Sequence, residues 1–221
     1  MTLQLVMRSV MTMVMIALAG LILWRWQING WGSIVWLASA IIMMLIRSPY
    51  AARNKENVIT EQFAVSKERV LLFLVSVGGT LLPVLHLSTG LLLFADYEAP
   101  NWLPVIGILF LVPGFWLFWR SHADLGQNWS VTTELREAHT LVSNGVYKHI
   151  RHPMYSAIWL IFLSYPFLIQ NWIVGSTGLV SFAIMYAVRV PIEEAMMRQE
   201  FGIEYEDYSS RTERLWPQRS K

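Results

Sequence analysis

The chain has 221 residues and a formal net charge of +2; 55% of its residues are hydrophobic and only 14% are charged. Soluble domains carry about 25% charged residues, so this composition excludes an ordinary soluble enzyme, and no nucleic-acid partner is expected. The absence of cysteine excludes a disulfide framework, a thiolate metal site and a cysteine nucleophile, while the many tryptophans suit the lipid–water boundary.

Six stretches are apolar enough to be membrane spans, and none contains Asp, Glu, Lys or Arg: Ser9–Trp24, Trp31–Ile46, Val70–Ala95, Trp102–Trp119, Pro153–Ile169 and Trp172–Val188. Ala17-Leu18-Ala19 mimics a signal-peptide cleavage site, but the apolar run continues through Trp24, which favours an uncleaved helix. Arg8, Arg25 and Arg47 bound the first two spans, where snorkelling extends their reach. The polar segment Arg47–Arg69 reads as a solvated connection without chemistry. In the third span, Gly78-Gly79 and Pro83 predict a kink, and His86 reads as a hydrogen-bonded structural residue. With the N-terminus placed in the cytoplasm, every one of the 17 basic residues except Arg25 falls on the cytoplasmic side. The positive-inside rule then predicts a multi-pass integral membrane protein with both termini cytoplasmic. The expected fold class is all-α and polytopic, with the last two spans a tight hairpin.

The texture changes near residue 98, dividing the chain into N-terminal transmembrane helices, 1–98, and a second region, 99–221. The fourth span gives way to a polar loop too long for a mere connector. Its apolar residues Leu125, Trp129, Leu135, Leu141, Val142 and Val146 predict that it folds against something. Asn144-Gly145 signals a tight turn, and Pro153 suits the first turn of a helix. Only Gln170-Asn171 separates the last two spans. After Arg189 a new helix is expected along the membrane interface, with Glu193 and Glu194 in its first turn and Gly202 as its stop. Because the hairpin is antiparallel, Arg151, His152 and Tyr155 at its start should meet Arg189, Glu193 and Glu194 at its end.

Part of this pattern has a purely structural reading. Basic residues at a cytoplasmic helix end follow from topology, and Arg189 with Glu193 is an ordinary i,i+4 pair. Histidine and tyrosine, however, do not serve the positive-inside rule. A metal site at His149 and His152 is disfavoured by a total of five histidines, so no metal is expected. A nucleophilic triad lacks a placed serine, and no G-x-G-x-x-G run marks a dinucleotide fold.

The ordered set "HTLVSNGVYKHIRHPMY", a hydrophobic hairpin and "RVPIEEAMMRQEFGIEYEDY" resembles the isoprenylcysteine carboxyl methyltransferase family of integral membrane methyltransferases over residues 124–217. The resemblance implies S-adenosyl-L-methionine as cofactor, bound at the cytoplasmic face without a dinucleotide fold. By motif position it implies cofactor contacts at His139, Leu141, Val142, Tyr147, His152, Pro153, Met154, Tyr155 and Glu193. It places Arg189 on the substrate side and Arg151 and Glu194 in the active site. The residue chemistry agrees: a carboxylate suits an ammonium or hydroxyl, tyrosine faces suit a sulfonium, Gly145 allows close backbone approach, and an arginine suits a carboxylate. The implied acceptor is a lipophilic small molecule or lipidated substrate drawn from the membrane, a prenylcysteine-like carboxylate first. A phospholipid amine or a small thiol, an NADPH-dependent membrane reductase sharing the fold, and a non-enzymatic membrane scaffold remain as alternatives; the oligomeric state is not legible.

Overall fold

A computed structural model describes residues 3–54, 59–62, 65–129, 134–136 and 140–217. Helix α1, Leu3–Trp24, turns through the short α2, Trp26–Asn29, into α3, Gly32–Asn54. A short strand β1, Ile59–Gln62, precedes α4, Val65–Ser76, which passes through a wide turn, Val77–Leu81, into α5, Leu82–Thr89. Helix α6, Leu103–Leu125, leads to strand β2, Glu134–Arg136, which pairs antiparallel with β1. Then come α7, Pro153–Ile169, α8, Trp172–Phe201, and α9, Ile203–Ser210. The fold is all-α with this one small ribbon added.

Among the described residues, four helices are long and apolar enough to cross a membrane: Gly32–Arg53, Lys67–Thr89, Leu103–Leu125 and Trp172–Phe201. The remaining two apolar segments form shorter helices, Ser9–Trp24 and Pro153–Ile169. Each of the six expected spans is therefore helical over most of its length, the third ending at Thr89, where Gly90 caps it in a left-handed conformation, rather than at Ala95. Their outward faces carry large apolar side chains such as Met11, Ile16, Leu109 and Val112, all exposed, as lipid contact requires. The interior is closed by Trp36, Phe118, Leu168 and Phe182, none of which is exposed.

The kink in the third span has a specific form. Between α4 and α5 the backbone widens by one residue per turn at Val77–Leu81. Carbonyls loosened there are met by neighbouring hydroxyls, a requirement in a membrane interior. Thr177 Oγ1 donates to Gly78 O at 3.0 Å, and Tyr165 OH donates to Gly79 O at 3.1 Å. A Cβ on Gly78 would lie 2.7 Å from Thr177 O, and one on Gly79 would lie 2.7 Å from the Phe162 ring. Small residues here let the helices touch backbone to side chain.

His86 is a structural residue, as expected: it is buried, with Nε2 3.3 Å from Asp96 Oδ1. The same Asp96 oxygen accepts from Asn171 Nδ2 at 2.5 Å. Asn171 also caps α8, its side-chain oxygen accepting from Val174 N at 2.9 Å. One polar knot thus fixes the α7–α8 turn.

Two expectations require correction. No separate interfacial helix begins after Arg189; α8 runs unbroken through Pro191 to Phe201. A proline removes one helical hydrogen bond, but Val190 and Glu194, each 1% exposed, are packed on either side of it and hold the helix on course. Nor is Arg47–Arg69 a bare connection. Helix α3 continues past Pro49 to Asn54, and β1 docks on β2 from the loop before α7.

The C-terminal end forms a strap over the start of α7. Arg151 N donates to Glu213 O at 2.8 Å, His152 N to Arg214 O at 2.9 Å, and Ser156 Oγ to Leu215 O at 2.6 Å. These bonds satisfy donors at a helix start that has no side-chain cap.

Candidate active site

The antiparallel hairpin brings the two expected clusters together. Tyr155 OH donates to Glu193 Oε1 at 2.6 Å, and Arg189 Nε donates to the same oxygen at 2.6 Å. Arg189 Nη1 also lies 3.4 Å from Glu68 Oε1. His152 stands between two successive carboxylates, with Nδ1 3.7 Å from Glu193 Oε2 and Nε2 3.4 Å from Glu194 Oε1. Its ring stacks on Tyr155 with centroids 5.4 Å apart and planes 15° from parallel.

Glu193 and Glu194 face different surroundings because consecutive helical residues are about 100° apart. Glu193 lines a cavity. Glu194 is buried behind it, where Arg214 grips it with Nε at 2.9 Å from one oxygen and Nη2 at 2.8 Å from the other. Arg151 Nε approaches the first oxygen at 3.3 Å. Arg151 also donates to the carbonyls of Ser209 and Thr212. The Arg214 guanidinium is held further above its ordinary range by the hydrogen bond to Glu194.

The cavity measures about 250 Å³, many times the ~10–15 Å³ that one water needs by the same measure. Tyr155, Arg189, Glu193 and His152 line it together with Tyr147, Leu141, Val142 and Asn128. Its apolar lining includes Met43, Leu72, Val75 and Phe162. Burial holds the Tyr147 and Tyr208 phenols above their usual range, so both remain donors: Tyr208 OH donates to Tyr147 O at 2.7 Å.

Gly145 has a different use from the close ligand approach expected of it. Its φ is +55°, and a Cβ there would collide with the Asp124 carboxylate. Asp124 Oδ2 accepts from Val146 N at 2.9 Å, and its other oxygen from Arg120 Nη2 at 2.7 Å. The turn is thereby pinned to the end of α6, and this pins Tyr147.

Of the residues expected at the site, Leu141, Val142, Tyr147, Arg151, His152, Met154, Tyr155, Arg189 and Glu193 line the cavity. Pro153 is buried as the first residue of α7, and Glu194 supports the wall from behind. His139 lies outside the described residues. Lys148 and His149, prominent in the sequence, are exposed. The reading missed Arg47, Met43, Leu72 and Val75, because helices α3 and α4 carry no local motif. It also missed Glu68, although that residue pairs with Arg189.

Residues 102–204 match the family model described as phospholipid methyltransferase. A probable protein-S-isoprenylcysteine O-methyltransferase of Oryza sativa subsp. indica is 26% identical over 186 residues, 80% of this chain and 92% of that protein. The chain is similar to the isoprenylcysteine carboxyl methyltransferase family. Among members of that family, the Schizosaccharomyces pombe protein-S-isoprenylcysteine O-methyltransferase is 32% identical over 45% of this chain and 43% of its own length. The Homo sapiens protein of that name is 31% identical over 50% of this chain and 40% of its own length. The solved structure of the eukaryotic intramembrane Ras methyltransferase of the family shares the fold, with a TM-score of 0.50 at 22% identity, over 84% of this chain and 63% of that one.

Proposed function

We propose that this protein is an S-adenosyl-L-methionine-dependent methyltransferase acting on the carboxylate of a lipophilic, prenylcysteine-like acceptor. The observation that supports this most is the meeting of Tyr155, His152, Glu193 and Arg189 around one cavity at the open end of the α7–α8 hairpin. The residues present fit the cofactor by chemistry. Glu193 offers a carboxylate to an ammonium or hydroxyl, Tyr147 and Tyr155 offer ring faces to a sulfonium, and Leu141, Val142 and Met154 offer an apolar bed. Bound there, S-adenosyl-L-methionine supplies an electrophilic methyl group on a positively charged sulfur.

The chain's own work is positioning. A carboxylate acceptor is already ionised, and the leaving sulfide is neutral, so no proton has to move. One C–O bond forms as one C–S bond breaks, and the charges cancel. Arg189, fixed by two carboxylates, holds the acceptor side of the cavity. His152 and Tyr155, stacked and tied to Glu193, hold the other. Alignment and exclusion of water supply the acceleration.

A second reading has its own support, since the matching family model is described as phospholipid methyltransferase. A protonated amine must lose a proton before it can attack, and a free base is needed to take it. Glu193 is occupied by Tyr155 and Arg189, which favours the carboxylate. Incubation of the purified chain with methyl-labelled cofactor, a prenylated cysteine and a membrane lipid extract tests both. Base-labile label on the prenylcysteine supports the first reading; label confined to base-stable lipid headgroup amines overturns it.

A further inference from the structure

We propose that Arg47, at the cytoplasmic-side end of α3, is the anion subsite of this cavity and grips the acceptor's carboxylate; the proposal deepens the carboxylate reading above and rests on it. Among the described residues, three arginines line the cavity: Arg47, Arg151 and Arg189. Arg151 is matched to Glu194, and Arg189 to Glu68 and Glu193. Among the described residues Arg47 has no carboxylate partner; its guanidinium lies 5.5 Å from the centre of the Trp129 ring.

That position is unfavourable without an anion. Arg47 is half-buried, lines the same cavity as the apolar side chains of Met43, Leu72 and Val75, and shares it with a second cation, Arg189. A guanidinium taken out of water recovers its solvation only through a paired, hydrogen-bonded anion, and its planar fork matches a carboxylate. The bland alternative for an arginine at a helix end is snorkelling into lipid headgroups. Here the side chain instead rests on Trp129, which is itself 3% exposed, and forms cavity wall. The cofactor also carries a carboxylate, in its amino-acid part. The lining favours the acceptor: Arg47 and Met43 come from α3 and Leu72 and Val75 from α4, apolar surface for an acceptor's hydrocarbon outside the 141–155 stretch proposed to hold the cofactor.

Binding to the purified full chain in nanodiscs decides the matter without reading turnover. The probes are a prenylated cysteine with a free carboxylate, its carboxamide, and S-adenosylhomocysteine. Wild type is expected to bind the acid about tenfold or more tighter than the amide, a difference of ~1.4 kcal/mol. Arg47→Gln should abolish that preference and leave the affinities for the amide and for S-adenosylhomocysteine within about twofold. Arg47→Lys, which keeps charge but not the fork, should retain part of it. Equal binding of acid and amide by wild type, or an undiminished preference in Arg47→Gln, overturns the proposal. So does a loss confined to S-adenosylhomocysteine, which would assign the guanidinium to the cofactor's carboxylate. An acid preference that depends on Arg47 in a chain that methylates no carboxylate would uphold the subsite and overturn the proposed function instead.

Discussion

At the scale of single residues, the site is organised by two consecutive glutamates with different duties. Glu193 faces the cavity and is shared by Tyr155 and Arg189; Glu194 faces protein and is sealed by Arg214 and Arg151. Glu193→Gln keeps the shape and removes the charge, so S-adenosylhomocysteine affinity should fall about tenfold or more, the worth of one charged hydrogen bond. Tyr155→Phe removes only a donor to a carboxylate that Arg189 still holds, and the loss should be smaller, about threefold. Titration calorimetry checks both; unchanged affinity in Glu193→Gln would remove that residue from the cofactor side. His152, Tyr155, Arg189 and Glu193 were legible because ordered boxes and an antiparallel hairpin sufficed to bring them together. Arg47 and Glu68 were not, since each lies in a stretch whose local pattern is only that of a helix flank. Their contribution exists only once α3 packs on α6 and α7 and α4 packs on α8.

At the scale of elements, two joints deserve comparison. The first is the widened turn between α4 and α5, where Gly79 meets Phe162 with no space for a side chain. Gly79→Leu should destabilise the protein by about 1–3 kcal/mol through overpacking, read as a lowered thermal midpoint in detergent, while Gly20→Leu, at a glycine with nothing near its would-be Cβ, should leave the midpoint unchanged. The second joint is the C-terminal strap, tied to α8 by the fork between Arg214 and Glu194. Arg214 is half-exposed but Glu194 is not. Arg214→Ala should therefore cost about 1 kcal/mol, most of it from a buried carboxylate losing two of its donors. Arg214→Lys should recover little, because a lysine cannot offer two parallel bonds. The kink, the hairpin and the proline start of α7 followed from residue type alone. The continuity of α8 through Pro191 did not, because proline is a local signal for a helix end and the packing of Val190 and Glu194 that overrides it is tertiary.

At the scale of the whole molecule, the proposed chemistry requires the cavity mouth and the donor to be on the same side of the membrane. The donor is water-soluble and the acceptor is held by lipid, so the polar walls built from the 141–155 stretch and α9 should face the cytoplasm. The distribution of charge supports that orientation, because Arg25 is the single basic residue that would face outward while Asp96 and Glu98 accompany it. A chain with no cysteine allows a direct measurement. Lys148 and Glu98 are both exposed, one in the turn before α7 and the other in the connection before α6. In intact cells, a membrane-impermeant maleimide should label Glu98→Cys at once and reach Lys148→Cys only after the membrane is permeabilised. The reverse pattern would put the cavity on the wrong side for a cytosolic methyl donor. Equal labelling of both in sealed cells would mean that the two turns share one face, which a crossing by α6 between them does not permit.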